Sequence, residues 1–210
     1  MAEKISIFPQ DERVKQILAQ QNAVLTGDHF KYASGLHGTE YINKDAIFTD
    51  PKLTSELCKF LVRPFQARNI HTVAGPQMGG VIVAHDAACE LSTMEKRQIW
   101  GVYAEKTEKG LKFNRGYDEF IRGHNVLAVE DILNTGGSAK DLIEAIREAG
   151  GNVIGLAAIV NRGNVKPENV GNVPIYSLLD VNMESWNPSD CQPCKDGIPL
   201  NMTVGHAKNQ

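Results

Sequence analysis

Residues 126–138 read VLAVEDILNTGGS, and this stretch decides the fold. The four apolar residues 126–129 are typical of a buried parallel strand. Two carboxylates, Glu130 and Asp131, follow where that strand is expected to end, and the loop 134–138 comes soon after them. Open α/β sheets bind their ligands beyond the carboxyl ends of their strands. The stretch therefore predicts a ligand site at one edge of such a sheet.

A helix and a second strand are predicted to follow the loop. Apolar residues recur at helical spacing, and Gly150–Gly151 is expected to end the helix. The apolar positions are Ala139, Leu142, Ile143, Ile146 and Ala149. Residues 153–160 are again apolar and predict another buried strand. The whole pattern indicates one βαβ unit.

The loop chemistry favours a bound phosphate. Glycines let backbone N–H groups approach an anion, a helix amino terminus adds a favourable dipole, and hydroxyl side chains add donors. The candidate phosphate-binding residues are Asn134, Thr135, Gly136, Gly137 and Ser138. Neither a Walker loop nor a G-x-G-x-x-G fingerprint is present. The adjacent acids would repel phosphate unless they face sugar hydroxyls or magnesium. A phosphorylated sugar is therefore the ligand that fits this loop best. A solvated acidic turn without a ligand is the simpler alternative.

The stretch EDILNTGGS resembles the phosphoribosyl pyrophosphate (PRPP) motif of type I phosphoribosyltransferases. The resemblance implies an α/β fold with a mainly parallel central sheet, flanking helices and a small hood subdomain. It implies transfer of 5-phosphoribosyl to a nucleobase, with Mg²⁺ bound through the substrate and through Asp131. Glu130 and Asp131 would hold the ribose hydroxyls as catalytic residues. It also implies a homodimer.

Composition argues against several other classes of protein. The chain has 210 residues, 42% hydrophobic and 22% charged, and its net charge of −3 gives no reason to expect nucleic acid. No apolar run reaches the length of a membrane span and the first residues do not form a signal peptide, so we expect no membrane association and a cytoplasmic location. Four cysteines are too few for a disulfide framework.

A second glycine-rich loop follows the predicted strand 70–74 and precedes a predicted helix over residues 81–91. Such a turn is a plausible anion site, although an ordinary tight turn has the same composition. By resemblance to the type I enzymes this loop would hold the pyrophosphate of PRPP. Its residues are Gly75, Pro76, Gln77, Met78, Gly79 and Gly80.

The amino-terminal region predicts a helix over residues 10–25, a hairpin or short strands over 29–48, and a helix over 52–67. The hairpin resembles the base-binding region of orotate phosphoribosyltransferases. The matching residues are Phe30, Ser34, Gly35, Tyr41, Ile42 and Asn43. Ser34 and Gly35 would contact the base. Ala33 stands where many of those enzymes have a lysine, and a purely structural hairpin remains an alternative.

Residues 104–125 follow a predicted strand, 98–103, and form a long polar segment with five cations. Loops of this length are often lids, and cations suit a lid over pyrophosphate, although a solvated hairpin is an alternative. The orotate family's K-D-H-G-E lid sequence is absent. Lys106 and Lys109 best match its lysines and are the candidate catalytic cations.

Arg162 follows the predicted strand 153–160 and matches the arginine that pairs with the orotate carboxylate in the resembling family. A last strand is predicted over residues 175–181. The resemblance covers nearly the whole chain and divides it into a hood, residues 1–48 and 174–210, and a core, residues 49–173.

The carboxyl-terminal segment contains Cys191-Gln-Pro-Cys194. This spacing supplies half of a zinc site, but the sequence offers no second pair and only His206 lies nearby. The other ligands would have to come from elsewhere in the chain or from a partner chain, so a structural turn is favoured.

Three functions are compatible with these residues. The first is orotate phosphoribosyltransferase, which acts in pyrimidine biosynthesis. The second is a type I enzyme for another nucleobase, and the third is a PRPP-binding regulator without catalytic activity. Ala33 and the atypical lid make the second credible beside the first, whereas the acidic chain and a cationic lid that has little use without a leaving group argue against the third.

Overall fold

The computed structural model describes residues 11–32, 34–108, 110–181 and 183–204. Within these ranges the strands are β1 (Val24–Lys31), β2 (His37–Ile42), β3 (Thr72–Pro76), β4 (Trp100–Thr107), β5 (Gly110–Lys112), β6 (Asn125–Leu133), β7 (Asn152–Asn161) and β8 (Ile175–Asp180). The helices are α1 (Asp11–Gln20), α2 (Pro51–Val62), α3 (Gly79–Glu95), α4 (Gly137–Glu148) and α5 (Gln192–Lys195). Short 3₁₀ helices are found at Lys44–Phe48, Arg63–Phe65, Tyr117–Phe120 and Pro167–Val170.

Six strands form one large sheet in the order β5-β4-β3-β6-β7-β8. Neighbouring strands are parallel throughout the series β4-β3-β6-β7-β8, and β5 pairs antiparallel with β4. Strands β1 and β2 form a separate antiparallel hairpin. The predicted fold class, a mainly parallel sheet flanked by helices, is confirmed. Strand β8 belongs to the large sheet, and the segment after Asp180 pairs with the hairpin through Trp186 and His37.

Both faces of β6 are covered by helices, which explains its apolar run. Leu127 and Val129 lie in one buried cluster with residues of α1, α2 and α3, whereas Val126 and Ala128 lie in a second cluster with residues of α4. All four are 0% exposed, as the alternation of side chains along a doubly covered strand requires. Among the described residues no helix is long and apolar enough to span a membrane.

Two predicted helices end earlier than expected. The helix predicted to Leu25 ends at Gln20, because Val24 and Leu25 instead pair with Ile42 and Tyr41 of the hairpin. Residue 10 of that prediction lies outside the described part of the chain. The helix predicted over 52–67 becomes a 3₁₀ turn after Val62, where Pro64 removes a backbone donor.

Candidate active site

The acid pair lies inside strand β6 and not at its end. Strand β6 continues to Leu133, and Glu130 and Asp131 are each only 6% exposed. Pairing of β6 with β3 stops at Ala128, while pairing with β7 continues to Leu133. The acids therefore occupy a length of strand that has a neighbour on one side only, and the predicted strand end at residue 130 is wrong.

Asp131 has one carboxylate oxygen that is satisfied and one that is not. Its Oδ1 accepts a hydrogen bond from the backbone N–H of Ile132 at 2.7 Å. Its Oδ2 is buried and has no hydrogen-bond partner among the described residues. This oxygen lies against Gly79 at the start of α3, where a Cβ would collide with it. A carboxylate oxygen left without a donor in this position can bind a cation or a hydroxyl.

Lys44 is the cation nearest to that oxygen. Its Nζ lies 3.8 Å from Asp131 Oδ2, and its side chain is 54% exposed. Lys44 begins the 3₁₀ helix after the hairpin, so the amino-terminal region reaches the acid pair. No motif connects this lysine with Asp131, because the two residues meet only through the fold.

Glu130 is buried beside a second carboxylate. Burial, together with the neighbouring Asp131, raises the pKa of Glu130 well above the ordinary range of a glutamate. Its Oε1 accepts a hydrogen bond from the backbone N–H of Asp131 at 3.2 Å. A cation bound beside the pair would oppose this repulsion and favour two carboxylates.

The loop between β6 and α4 places a helix amino terminus next to the acids. Gly136 is the residue that precedes the first turn of α4, with φ of +82°, and it has no side chain to cap this turn. The exposed positions are Asn134, Thr135, Gly137 and Ser138, and Thr135 Oγ1 lies 3.4 Å from the backbone nitrogen of Gly137. The loop thus combines a helix start that begins at a glycine with exposed hydroxyl side chains, as a phosphate site requires.

The second glycine-rich loop is shorter than predicted. Gly75 and Pro76 belong to β3, while Gly79 and Gly80 begin α3, so only Gln77 and Met78 form the turn. The peptide bond between these two is cis, and Met78 is 81% exposed. The predicted helix start at residue 81 is therefore two residues late.

Close packing explains the glycines of this second loop. A Cβ on Gly75 would collide with the carbonyl of Gly80, so the strand and helix approach directly. No described side chain caps the first turn of α3. Gln77 ties the turn to β4, because its Oε1 accepts a hydrogen bond from Lys106 N at 3.1 Å. Both uncapped helix starts lie at the carboxyl edge of the sheet, with the acids on the strand between them.

Arg162 lies directly beside the phosphate loop. The backbone nitrogens of Arg162 and Gly163 both approach the carbonyl of Leu133, at 2.9 and 3.1 Å. A Cβ on Gly163 would collide with the carbonyl of Asn134, so the two turns pack backbone to backbone. This contact brings the turn after β7 against the turn after β6.

The tip of the β1–β2 hairpin lies on the other side of Arg162. The guanidinium carbon is 5.9 Å from the centre of the Tyr32 ring, and the tyrosine hydroxyl donates to the carbonyl of Glu40 at 2.6 Å. Burial raises the pKa of Tyr32. Ser34 and Gly35 form the tip itself, where Gly35 N donates to Tyr32 O at 2.9 Å. Ala33 lies outside the described residues. Sequence reasoning missed Tyr32, which has no motif of its own.

The predicted lid segment begins as a hairpin. Strand β4 runs on to Thr107 and pairs antiparallel with β5, which places Lys106 opposite Leu111. The side chain of Lys106 is exposed, and Lys109 lies outside the described residues. Two other cations of the segment are already paired: Arg115 with Glu105 at 2.9 Å, and Arg122 with Asp118 at 2.9 Å.

The acid pair suits a magnesium ion carried by a phosphorylated substrate. Mg²⁺ prefers oxygen ligands and is commonly bound through one or two carboxylates plus substrate phosphates. The buried Oδ2 of Asp131 is a carboxylate oxygen without a hydrogen-bond partner in the described residues, which is the chemistry that such a ligand needs, and Glu130 adjoins it. Both helix starts that could hold phosphates flank this position.

Comparison with known proteins agrees with this geometry. A family model described as a phosphoribosyl transferase domain matches residues 45–187. A protein named orotate phosphoribosyltransferase from Caldanaerobacter subterraneus is 33% identical over 191 residues, which are 91% of this chain and 95% of that protein. The protein of the same name from Thermotoga maritima is 34% identical over 187 residues, 89% of this chain and 94% of that protein.

Solved structures resemble the fold. Orotate phosphoribosyltransferase from Mycobacterium tuberculosis in complex with PRPP aligns with a TM-score of 0.61 at 18% identity, covering 83% of this chain and 92% of that chain. A phosphoribosyltransferase from Corynebacterium diphtheriae aligns with a TM-score of 0.64 at 21% identity, covering 82% and 96%. The chain belongs to the phosphoribosyltransferase family, and the resemblance stated from its motifs is confirmed.

Proposed function

We propose that this chain transfers the 5-phosphoribosyl group of PRPP to orotate, giving orotidine 5′-monophosphate and pyrophosphate. The observation that carries the proposal is the acid pair of β6 lying between two uncapped, glycine-lined helix starts. One start suits the 5-phosphate and the other suits pyrophosphate, because both offer backbone N–H groups and a positive dipole end. The names of relatives that match nearly the full length support orotate as the acceptor.

The reaction exchanges one bond at the anomeric carbon of the ribose. The bond between the anomeric carbon and the pyrophosphate oxygen breaks, and its electron pair leaves with the pyrophosphate. A ring nitrogen of orotate forms the new bond to that carbon and gives up its proton, which the departing pyrophosphate accepts. Positive charge develops on the sugar ring between the two events. Glu130 and Asp131 bind the ribose hydroxyls and stabilise this charge, while residues 134–138 fix the 5-phosphate. No covalent nucleophile is needed, so the protein acts by positioning and electrostatics.

Pyrophosphate departure requires cations. Mg²⁺, when bound, neutralises the charge of the leaving pyrophosphate, and Asp131 Oδ2 is the protein oxygen that would hold it. Lys44, at 3.8 Å, balances the charge of the same carboxylate. Lys106 of β4 is exposed and, with Lys109, acts as a lid cation, and residues 75–80 bind the pyrophosphate. A homodimer, by analogy with the family, completes the proposal.

Base selection rests on Arg162. Two contacts support this role: its backbone packs against the turn after β6, and its guanidinium carbon lies 5.9 Å from the centre of the Tyr32 ring on the hairpin. A guanidinium pairs a carboxylate through two parallel hydrogen bonds, and orotate differs from uracil by such a carboxylate. Ser34 and Gly35, at the hairpin tip, close the base site from the other side.

Steady-state kinetics with three acceptors test the proposal. Pyrophosphate release is measured with orotate, uracil and hypoxanthine, in wild type and in Arg162→Ala. We expect wild type to use orotate, and the variant to lose about 2–3 kcal/mol in kcat/KM, roughly 30- to 150-fold, the scale of a hydrogen bond to a charged group. Arg122→Ala is the matched control, because Arg122 is exposed and pairs with Asp118 before β6 begins, at the opposite edge of the sheet.

The outcomes separate the parts of the proposal. Turnover of hypoxanthine but not orotate would overturn the assignment of the base and of Arg162, and would leave phosphoribosyl transfer intact. No turnover with any base, together with PRPP binding, would overturn the enzymatic function.

A further inference from the structure

Four side chains of types that bind metals converge outside the active site, near the turn end of the β1–β2 hairpin. His29 lies in β1, His37 in β2, Cys191 directly precedes α5, and Cys194 lies within it. Their ligand atoms all lie within 4.8 Å of one another. We propose that these four residues bind a structural Zn²⁺ that fastens the carboxyl-terminal segment to the β1–β2 hairpin.

The separations between ligand atoms match a tetrahedron around zinc. His29 Nε2 lies 3.0 Å from His37 Nδ1, 3.4 Å from Cys191 Sγ and 3.7 Å from Cys194 Sγ, and His37 Nδ1 lies 3.3 Å from Cys194 Sγ. Zinc bonds of about 2.0–2.1 Å to nitrogen and about 2.3 Å to sulfur place tetrahedral ligands roughly 3.3 Å apart for two nitrogens and roughly 3.5 Å apart for nitrogen and sulfur. These four separations agree with the tetrahedral values within a few tenths of an ångström, and the other two pairs of ligand atoms lie within 4.8 Å.

The tautomer of His29 is fixed in the form that binds a metal. Its Nδ1 lies 2.8 Å from the carbonyl oxygen of Ile198, an acceptor only, so Nδ1 carries the proton. The Nε2 lone pair is then directed at His37 and the two cysteines. A ligating histidine typically donates its other ring nitrogen to a carbonyl or carboxylate in this way.

Burial and charge also favour zinc. His29, His37 and Cys191 are 2%, 6% and 0% exposed, while Cys194 is exposed and offers an entry path. Two thiolates and two neutral imidazoles leave Zn²⁺ with no net charge, so the site can be buried. A tetrahedral set of two sulfurs and two nitrogens is typical of zinc, and four protein ligands leave no open position for catalysis.

The backbone around these side chains shows what the ion would hold together. His37 and Trp186 exchange two backbone hydrogen bonds, both 2.9 Å. Asn201 N donates to His29 O at 2.7 Å, and the Asn201 side chain donates to Asp28. The segment after β8 therefore already runs along the hairpin at both histidines. Zinc would fix that contact, and the same hairpin carries Tyr32 to Arg162.

The sequence pair Cys191-x-x-Cys194 supplied only half of this site. The other half comes from two histidines on paired strands, far away along the chain, and no spacing rule connects them with the cysteines. The structural turn favoured from the sequence is present as α5, and the same turn presents both sulfurs to the histidines.

Metal content and coordination test the proposal without reference to activity. The full chain is produced with Zn²⁺ in the medium and purified under reducing conditions without chelator. We expect about one zinc per chain by mass spectrometry of the metal, and X-ray absorption showing two sulfur and two nitrogen neighbours. Removal of zinc with a chelator should lower the thermal unfolding midpoint, and Zn²⁺ alone should restore it.

Variants locate the site. The double variant Cys191→Ser, Cys194→Ser should lose more than nine-tenths of the zinc, whereas Cys89→Ser, which changes an exposed cysteine of α3, should keep it. If the double variant does not fold, the measurements on wild type still test the proposal, because wild type must contain the metal. Wild type without zinc that also fails to bind added Zn²⁺, or zinc bound only through oxygen and nitrogen, would overturn it. A Cys191–Cys194 disulfide in freshly purified protein would overturn it as well.

Discussion

Replacing Gly136 with alanine tests whether the phosphate loop depends on the backbone geometry seen here. Gly136 has φ of +82°, and a Cβ would lie 2.9 Å from Val165 Cγ1 and 3.1 Å from Val170 Cγ1. Favourable carbon contacts lie at about 3.5–4.0 Å, so the two valines or the loop must move. The substitution therefore adds backbone strain and overpacking at once.

The expected loss of stability follows from the backbone strain and the overpacking. A left-handed backbone costs a non-glycine residue about 1–2 kcal/mol, and forcing extra volume into a packed site costs about 1–3 kcal/mol. The free energy of unfolding should fall by roughly 2–5 kcal/mol. If the loop moves to relieve the contact, its N–H groups leave the positions that suit phosphate, and PRPP affinity should fall by at least about tenfold, or 1.4 kcal/mol.

Gly27→Ala is the matched control. Gly27 has φ of +76°, and nothing lies within 4 Å of a Cβ placed there. This variant carries the backbone cost and the altered unfolded-state entropy without the contact. The free energies of unfolding of the two variants, measured in urea, should therefore differ by the cost of overpacking, about 1–3 kcal/mol. Calorimetric titration with PRPP should detect weaker binding only in Gly136→Ala. Equal destabilisation with equal PRPP affinity in the two variants would refute the reasoning.

Two further predictions address the acid pair and the core. Asp131→Asn should lower kcat by about 30- to 1000-fold, or 2–4 kcal/mol, because a charge-assisted contact at the transition state is lost, while PRPP affinity changes less. Rapid-quench kinetics measure the rate and calorimetric titration measures the affinity. Normal turnover would contradict the role of the carboxylate. Leu142→Ala, which truncates a side chain that is 0% exposed, should lower the free energy of unfolding by about 2–5 kcal/mol. Ile82→Ala, at a position 41% exposed, should cost less in the same urea titration, and equal losses would argue against the described core.

Local patterns were enough to predict the central unit. The apolar run 126–129 and the helical spacing after it both arise from burial against helices, so strand, loop and helix could be assigned from the sequence. The end of β6 could not be predicted in this way, because two adjacent acids, Glu130 and Asp131, are typical of the polar end of a strand. They stay in the strand through pairing with β7, which no local pattern contains.

Tertiary contacts account for the residues that sequence reasoning missed. Val24 and Leu25 fit the helical spacing of α1, but pairing with β2 outweighs that preference. Lys44 meets Asp131, and Tyr32 meets Arg162, only after the hairpin has docked on the sheet. Neither residue belongs to a motif, so neither could be assigned to the site in advance. The roles of Lys106, Ser34 and Gly35 in binding remain predictions.

The division of the hood between two distant segments has a consequence for folding order. His37 and Cys194 are 157 positions apart in the chain, and Asp28 and Asn201 are 173 apart. Contacts that close such long loops are entropically costly until the chain between them is compact. The sheet and its phosphate loop are built largely from neighbouring βα units and can assemble earlier. We therefore expect the protein to become competent to bind PRPP before it can enclose a base, with hood closure as the final event of folding.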